Sequence, residues 1–316
     1  MPASAALAVV LAAGLDAAFA EPPARVHPVA LLGRLLSRLE PSSPSPSPSP
    51  SRSHPRLRGA LLALFVPLGF AAAAGAVVAA GGLLSPWLGA ALAGLLLFSV
   101  TSLRMLLDAA RDVTRAADSD LDAARRELRA LAGRDASALD AAHVRSAAVE
   151  SAAENLSDGL VAPLLGFAVC APVSLPLAAA AAAWVKGVNT LDSMFGYRSN
   201  PIGWGPARLD DAVMWLPARL SAVLLAASVF QFALPLSPRV RTLARRPPSP
   251  NSGWPMATMA AALPARLVKP GVYDLDPASD EAGTPLPSTT DATRAVRVTN
   301  RAGVLAFALA GVVAWA

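Results

Sequence analysis

The chain has 316 residues, of which 54% are apolar and only 16% charged, with a mean hydropathy of +0.47. A water-soluble domain of this length needs more charge to cover its surface, and the apolar residues fall in a few long blocks instead of one dispersed core. The net charge of +5 and pI near 10.3 fit loop arginines that set membrane topology and meet anionic lipid. No aromatic-basic interleaving accompanies them, so no nucleic-acid partner is expected. One cysteine, Cys170, excludes an intramolecular disulfide, and His27, His54 and His143 lack metal-ligand spacing.

Residues 2–20 form the first apolar block. It ends Ala18-Phe19-Ala20, similar to a signal-peptidase site, but lacks a basic n-region and contains Asp16, so a retained helix is expected. A basic segment with Arg25, His27, Arg34 and Arg38 follows. A Ser-Pro repeat over residues 41–53 then reads as a disordered, solvated linker. Residues 59–84 and 86–107 are each long enough to span, and the Ser85-Pro86 joint makes them a hairpin with both basic flanks on the cytoplasmic side. Residues 108–158 read as a polar, helical cytoplasmic region. Within it Arg125 to Leu131 show an apolar face at helical spacing, Gly133-Arg134-Asp135 break the pattern, and Ser137 is the expected cap of a second helix.

Residues 160–185 are apolar but carry Pro163, Pro172 and Pro176, and read either as one kinked span or as two half-helices. Residues 211–236 are a further span, 237–300 a polar cytoplasmic loop, and 301–316 a short apolar tail. The expected fold is all-α: a single membrane-embedded domain over 1–316, with five to six membrane segments in the cell membrane and small residues at the helix contacts.

Four clusters are too rich in polar residues for ordinary membrane loops. In the first, Glu150, Glu154 and Asp158 follow one helical face beside Asn155, and three acids in line invite Mg²⁺; a solvated helix face is the alternative. The second runs from Lys186 through Asn189, Asp192 and Tyr197 to Arg198. Lys and Arg suit phosphate charge, while Asp and Asn suit a metal or a hydroxyl. A snorkelling rim explains Lys186 and Tyr197, but not Asn189 with Asp192. The third holds Arg208, Asp210 and Asp211; paired carboxylates at a helix start act as a cap or bind Mg²⁺ bridging phosphate oxygens. The fourth, Ser249-Pro250-Asn251-Ser252-Gly253-Trp254-Pro255, is a turn in which Asn and Gly can take left-handed angles, opening onto a helix that begins at Met256. No Walker loop, GxSxG elbow or Rossmann fingerprint is present.

In the same order, these clusters resemble the adenosylcobinamide-phosphate synthases, or cobinamide synthases, of cobalamin biosynthesis. The matching stretches are VHPVALLGRLL (26–36), ARRELRALAGRDASALD (124–140), AAVESAAENLSDGLVAPL (147–164), KGVNTLDSMFGYRSN (186–200), GWGPARLDDAVMWLPARLSA (203–222) and SPNSGWPMATMAAAL (249–263). The family usually has a Gly-Asp-Pro step before the His-Pro pair, where this chain reads Ala20-Glu21-Pro22. The resemblance implies an ATP-dependent ligase. Its substrates would be adenosylcobyric acid, an adenosylated corrinoid, and (R)-1-aminopropan-2-ol or its O-phosphate. Mg²⁺ and ATP are the implied cofactor and co-substrate, and other membrane enzymes of the pathway are implied partners.

Within that reading Asp192, Asp210 and Asp211 are the expected metal ligands, with Glu154 and Asp158 as alternates. Lys186, Arg198 and Arg208 are expected on phosphate charge, and Glu150 or Glu154 as the base, with His27 as runner-up. Asn155, Asn189, Tyr197, Asn251 and Trp254 are expected to bind substrate. The rival readings are a transporter and a corrinoid-binding scaffold. A strict positive-inside count puts residues 186–211 on the outer face, away from cytoplasmic ATP, unless 160–185 re-enters without crossing or the site lies within the bilayer.

Overall fold

In the computed structural model, residues 2–38, 54–133, 135–197, 200–278 and 283–316 are described; the Ser-Pro repeat and Arg198 lie outside them. The helices in chain order are α1 (Pro2–Phe19), α2 (Pro28–Ser37), α3 (Pro55–Leu84), α4 (Pro86–Val100), α5 (Arg104–Ser119), α6 (Leu121–Ala132) and α7 (Ala141–Leu156). A π-helical turn, Ser157–Val161, precedes α8 (Ala162–Cys170) and α9 (Leu175–Phe195). Then come α10 (Trp204–Val213), α11 (Trp215–Ser228), α12 (Pro238–Leu243), α13 (Gly253–Ala262), the strands β1 (Leu267–Lys269) and β2 (Tyr273–Leu275), and α14 (Thr289–Trp315).

Proline and serine punctuate these helices. Ser85 accepts from Trp87 N at 3.3 Å, Ser174 from Leu177 N at 3.3 Å and Ser237 from Val240 N at 3.2 Å, each with proline in the first turn of the following helix. Proline has no N–H to leave unsatisfied there, and the hydroxyl takes one of the orphan donors.

Three helical stretches are long and apolar enough to cross a membrane: Pro55–Leu84, Pro86–Ser119 and Thr289–Trp315. The bent pair Pro201–Val213 and Trp215–Ser228 makes a fourth if it is one span. Five to six segments were expected, and the difference has local causes. The helix at Ala3–Phe19 is shorter than a span. The block at 160–185 divides at a turn over residues 171–174, giving two half-helices instead of one kinked span. Residues 237–300 are not a loop, since they contain α12, α13, the β-hairpin and the first turns of α14. The tail at 301–316 is therefore the second half of a 27-residue helix.

Contacts divide the chain into two compact units: Met1–Thr101, Ala162–Val213 and Ala310–Ala316 in the first, Ser102–Val161 and Met214–Leu309 in the second. The first unit is built on close helix approaches that need small residues. A Cβ added at Gly94 of α4 would lie 3.0 Å from Ala8 O of α1, and one at Gly75 of α3 would lie 3.2 Å from Ala180 Cβ of α9. Gly166 of α8 similarly faces Ala181 O of α9 at 3.2 Å, so α8 and α9 fold back on one another as a helical hairpin.

The second unit is an α5–α6–α7 layer around Val113, Ala117, Leu128, Val144 and Ala147, together with α11, α13 and the hairpin. Charges line the outer face of the layer, as in the i, i+3 pair Arg111–Asp108 at 2.6 Å. Asp120 caps α6 and the left-handed Gly133 ends it. The cap of α7 is Asp140, which accepts from His143 N at 2.9 Å; Ser137 instead bonds to Asp135. Asp140 immediately precedes the first helical residue, where its carboxylate reaches a free N–H, and Ser137 lies a turn too early.

Candidate functional site

Polar groups gather separately in each unit. In the first, the second half of α9 leaves the apolar core at Lys186. Val185, Val188, Leu191 and Phe195 stay buried while Lys186, Asn189 and Asp192 are half-buried and Ser193 is exposed. The segment between α1 and α2 approaches Lys186. Burial raises the Glu21 carboxyl above its usual value while the Lys186 charge pulls it down. Burial lowers the His27 imidazole, and Lys186 lowers it further. His27 also caps α2, its Nδ1 accepting from Val29 N at 3.2 Å. With Nδ1 accepting that bond, the ring proton sits on Nε2, which leaves this nitrogen as a hydrogen-bond donor toward a ligand.

The end of α9 is shaped by glycines. A Cβ at Gly196 would fall 1.9 Å from Asp192 Oδ1, and one at Gly203 would fall 1.9 Å from Phe195 O. Opposite, a Cβ at Gly59 of α3 would meet Ile202 O at 1.9 Å. The chain between α9 and α10 is thus pressed against α3, and α10 carries Arg208, Asp210 and Asp211 into the same unit as Asp192, the two carboxylates near its C-terminal end and not at a helix start as expected. Asp192 Oδ1 is buried with no hydrogen-bond partner. Burial first, and then the charge of Asp211, push its carboxyl up to about 6. Arg208 and Tyr197 are exposed. Arg198 falls outside the described residues.

In the second unit, Glu150 is 2% exposed, and each of its oxygens accepts a hydroxyl: Ser146 Oγ at 2.9 Å and Tyr273 OH at 2.7 Å. Ser146 in turn accepts from Val268 N of β1 at 2.8 Å. Glu150 therefore ties the β1–β2 hairpin, paired antiparallel with Val268 opposite Asp274, onto α7. Both of its oxygens are thus engaged in holding the hairpin. Glu154 and Asn155, one turn on, and Asp158, two turns on, are half-buried, Asn155 donating to Leu131 O at 3.4 Å. Asp158 lies in the π-helical turn, a distortion frequent at functional sites.

The fourth cluster has a different organisation from that expected. Neither Asn251 nor Gly253 takes a left-handed angle. Asn251 is buried and its Oδ1 accepts from Arg219 Nη1 at 2.7 Å. Gly253, now the first residue of α13, is required because a Cβ there would lie 2.0 Å from Ala244 O. The Arg219 guanidinium lies 4.6 Å from the Trp215 ring centre and 4.9 Å from that of Trp254. Trp254 thus holds a cation between two indoles. Arg219, Tyr273 and Ser146 were not singled out as site residues. The first stood inside a matched stretch, and the other two carried no local signal.

Among the described residues no group of three or more His, Cys, Asp or Glu side chains could hold a metal ion. Mg²⁺ commonly uses one or two carboxylates and completes its shell with substrate phosphates and water. The unpartnered Asp192 oxygen with Asp211 nearby fits that smaller set, and Asp158 belongs to the other unit.

Both units together describe a helical protein with membrane-length spans whose polar residues cluster at helix ends. The sequence model described as "CobD/Cbib protein" matches residues 9–299. The chain is 37% identical over 306 residues to the probable cobalamin biosynthesis protein CobD of Methanothrix thermoacetophila, covering 95% of this chain and 94% of that one. It is 35% identical over 273 residues to the probable cobalamin biosynthesis protein CobD of Methanothermobacter thermautotrophicus, covering 84% and 85%. It is 39% identical over 282 residues to the cobalamin biosynthesis protein CobD of Rhodobacter capsulatus, covering 84% and 82%. The chain belongs to the CobD/CbiB family. No solved structure matches it significantly.

Proposed function

We propose that this chain is the ATP-dependent amide ligase of cobalamin biosynthesis that joins the free propionate carboxylate of adenosylcobyric acid to (R)-1-aminopropan-2-ol or its O-phosphate. The product is adenosylcobinamide or its phosphate. Family membership over nearly the whole chain supports the pathway. The observation that carries the chemistry is the pairing of Asp192, with its raised pKa and unpartnered oxygen, with Asp211, in a unit that also holds Lys186 and Arg208.

A carboxylate does not react with an amine at neutral pH. Its oxygen attacks the γ-phosphorus of ATP, ADP departs, and the resulting acyl phosphate is attacked by the amine with loss of phosphate. Lys186 and Arg208 hold phosphate charge, and His27 donates through Nε2. The amine gives up its proton as the amide forms, to a general base or to solvent. Asp192 and Asp211, with Asp210 beside them, would hold Mg²⁺, which neutralises triphosphate charge when bound. Asn189 and Tyr197, in the same unit as Asp192, are proposed to contact substrate. The full chain purified in detergent should convert ATP to ADP and phosphate only when both adenosylcobyrate and the amine are present, with cobinamide as product. Movement of corrinoid across vesicles without product would make it a transporter. Near-normal rates in Asp192→Ala and Asp210→Ala would sink the metal assignment.

A further inference from the structure

Helix α14 carries Arg294, Arg297 and Arg301 at three- and four-residue intervals, all exposed on one face. Among the described residues none of the three has an ion pair or a hydrogen bond to its side chain. Like charges at this spacing destabilise an isolated helix by a few tenths of a kcal/mol per pair, so their clustering needs an anion. The same face continues toward the C-terminus as Val304 and Leu305, Leu309, and Val312, which are 56%, 40%, 44% and 68% exposed. One stripe is therefore cationic for two turns and apolar for the next three, within a helix long enough to cross a bilayer.

The arginines also line a cavity of about 220 Å³ with Val298, Val229 and Phe230. Phe230 follows the end of α11. Gln231 N donates to Ala226 O at 2.9 Å and Phe230 N to Ala227 O at 3.0 Å, which puts Phe230, at φ 60°, in the position where glycine is usual. A left-handed phenylalanine is strained by about 1 kcal/mol or more. Its ring nevertheless stands 83% exposed beside the three arginines. Such an apolar ring gains from burial at the boundary between headgroups and acyl chains.

We propose that this groove binds the headgroup of an anionic phospholipid. The arginines hold its phosphodiester, Phe230 packs at the boundary of headgroup and acyl chains, and the acyl chains follow the stripe from Val304 to Leu309. A soluble phosphate would use the cations but gain nothing from the apolar wall; a phospholipid offers both parts in one molecule.

The test uses the full chain, delipidated in detergent, with phosphatidylglycerol and phosphatidylcholine of equal chain length competing for it, read by native mass spectrometry. Phosphatidylglycerol should be preferred. Arg297→Gln should weaken its binding about fivefold, and Arg294→Gln/Arg297→Gln/Arg301→Gln on the order of a hundredfold, with phosphatidylcholine binding unchanged. Arg241→Gln/Arg245→Gln, which removes two exposed charges elsewhere, should keep the preference. The lysine versions of the three sites should keep it within a few-fold. If the triple glutamine variant does not fold, the single and lysine variants decide. Undiminished phosphatidylglycerol preference in the glutamine variants overturns the proposal. So does equal binding of phosphatidylcholine, which would mean apolar contact alone, or displacement of phosphatidylglycerol by millimolar inorganic phosphate, which would mean a site for a soluble anion.

Discussion

Glu150 in the second unit and Asp192 in the first are both acids turned toward protein, and the fold treats them in opposite ways. Each oxygen of Glu150 receives a hydroxyl, from Ser146 and Tyr273, so its burial is compensated and it fastens a β-hairpin to α7. Asp192 is held against Gly196 at the end of α9 with one buried oxygen left unpartnered, and burial together with the Asp211 charge raises its pKa to about 6. A buried polar group normally finds a partner, and one that does not marks a site where something else completes the set. The contrast separates a carboxylate that holds structure from one left with an unpartnered oxygen.

The largest effect expected is on the frame that holds Asp192. In Gly203→Ala the new methyl meets Phe195 O, a backbone atom that cannot move aside cheaply, so folded protein should be lost, as judged by monodisperse yield in detergent. Asp192→Asn should fold normally but lose at least about a hundredfold in ligase rate, because the neutral amide no longer binds the cation; a rate within a few-fold of the parent would remove Asp192 from the site. Glu150→Ala should do the reverse. It strands the Tyr273 and Ser146 hydroxyls and costs about 2–4 kcal/mol, seen as a lower Tm, while molecules that remain folded keep much of their activity. Asn251→Ala, which removes the side-chain acceptor of Arg219 and leaves it the carbonyls of Trp215 and Pro250, should cost about 1 kcal/mol by the same measurement.

The same contrast predicts pH dependence. The folded pKa of Asp192, about 6, is above its ordinary value, so the stability it contributes is fully present below about 4 and is lost as pH rises through about 6. Asp192→Asn should therefore be at least as stable as the parent at pH 8, with the advantage fading toward pH 4 in thermal melts. Mg²⁺ competes with a proton at this carboxyl, so the parent's Mg²⁺ affinity should fall as pH drops through about 6. A flat profile would mean that the carboxylate is ionised throughout and that the comparison with Glu150 is wrong.

Much of the frame could be read from local pattern. Ser85-Pro86 announces the α3–α4 hairpin, and the spacing of Ala124 and Leu128 announces the buried face of α6. The start of α14 could not be read this way. Residues 289–300 are polar and resemble loop sequence, and they are helical because Ala292, Ala295, Val296 and Val298 are buried by the rest of the second unit. The β-hairpin was also missed, since three-residue strands carry almost no period of their own and depend on Ser146 and Glu150 to be held.

For the candidate site, the stretches from Lys186 to Asp211 and from Glu150 to Asp158 stood out by charge among apolar residues. Their pairings did not. Lys186 with Glu21 and His27, Asp192 with Asp211, and Glu150 with Tyr273 join positions far apart along the chain, and no local spacing encodes them. Hydropathy and short-range pattern by themselves determined that this is a helical chain with membrane-length segments, and the resemblance of its polar stretches determined its family. Which acid became a fastener and which was left with an open oxygen was decided only by tertiary packing. Burial and partner supply are set by elements folded against one another, and a carboxylate's chemistry depends on those surroundings more than on its neighbours in sequence.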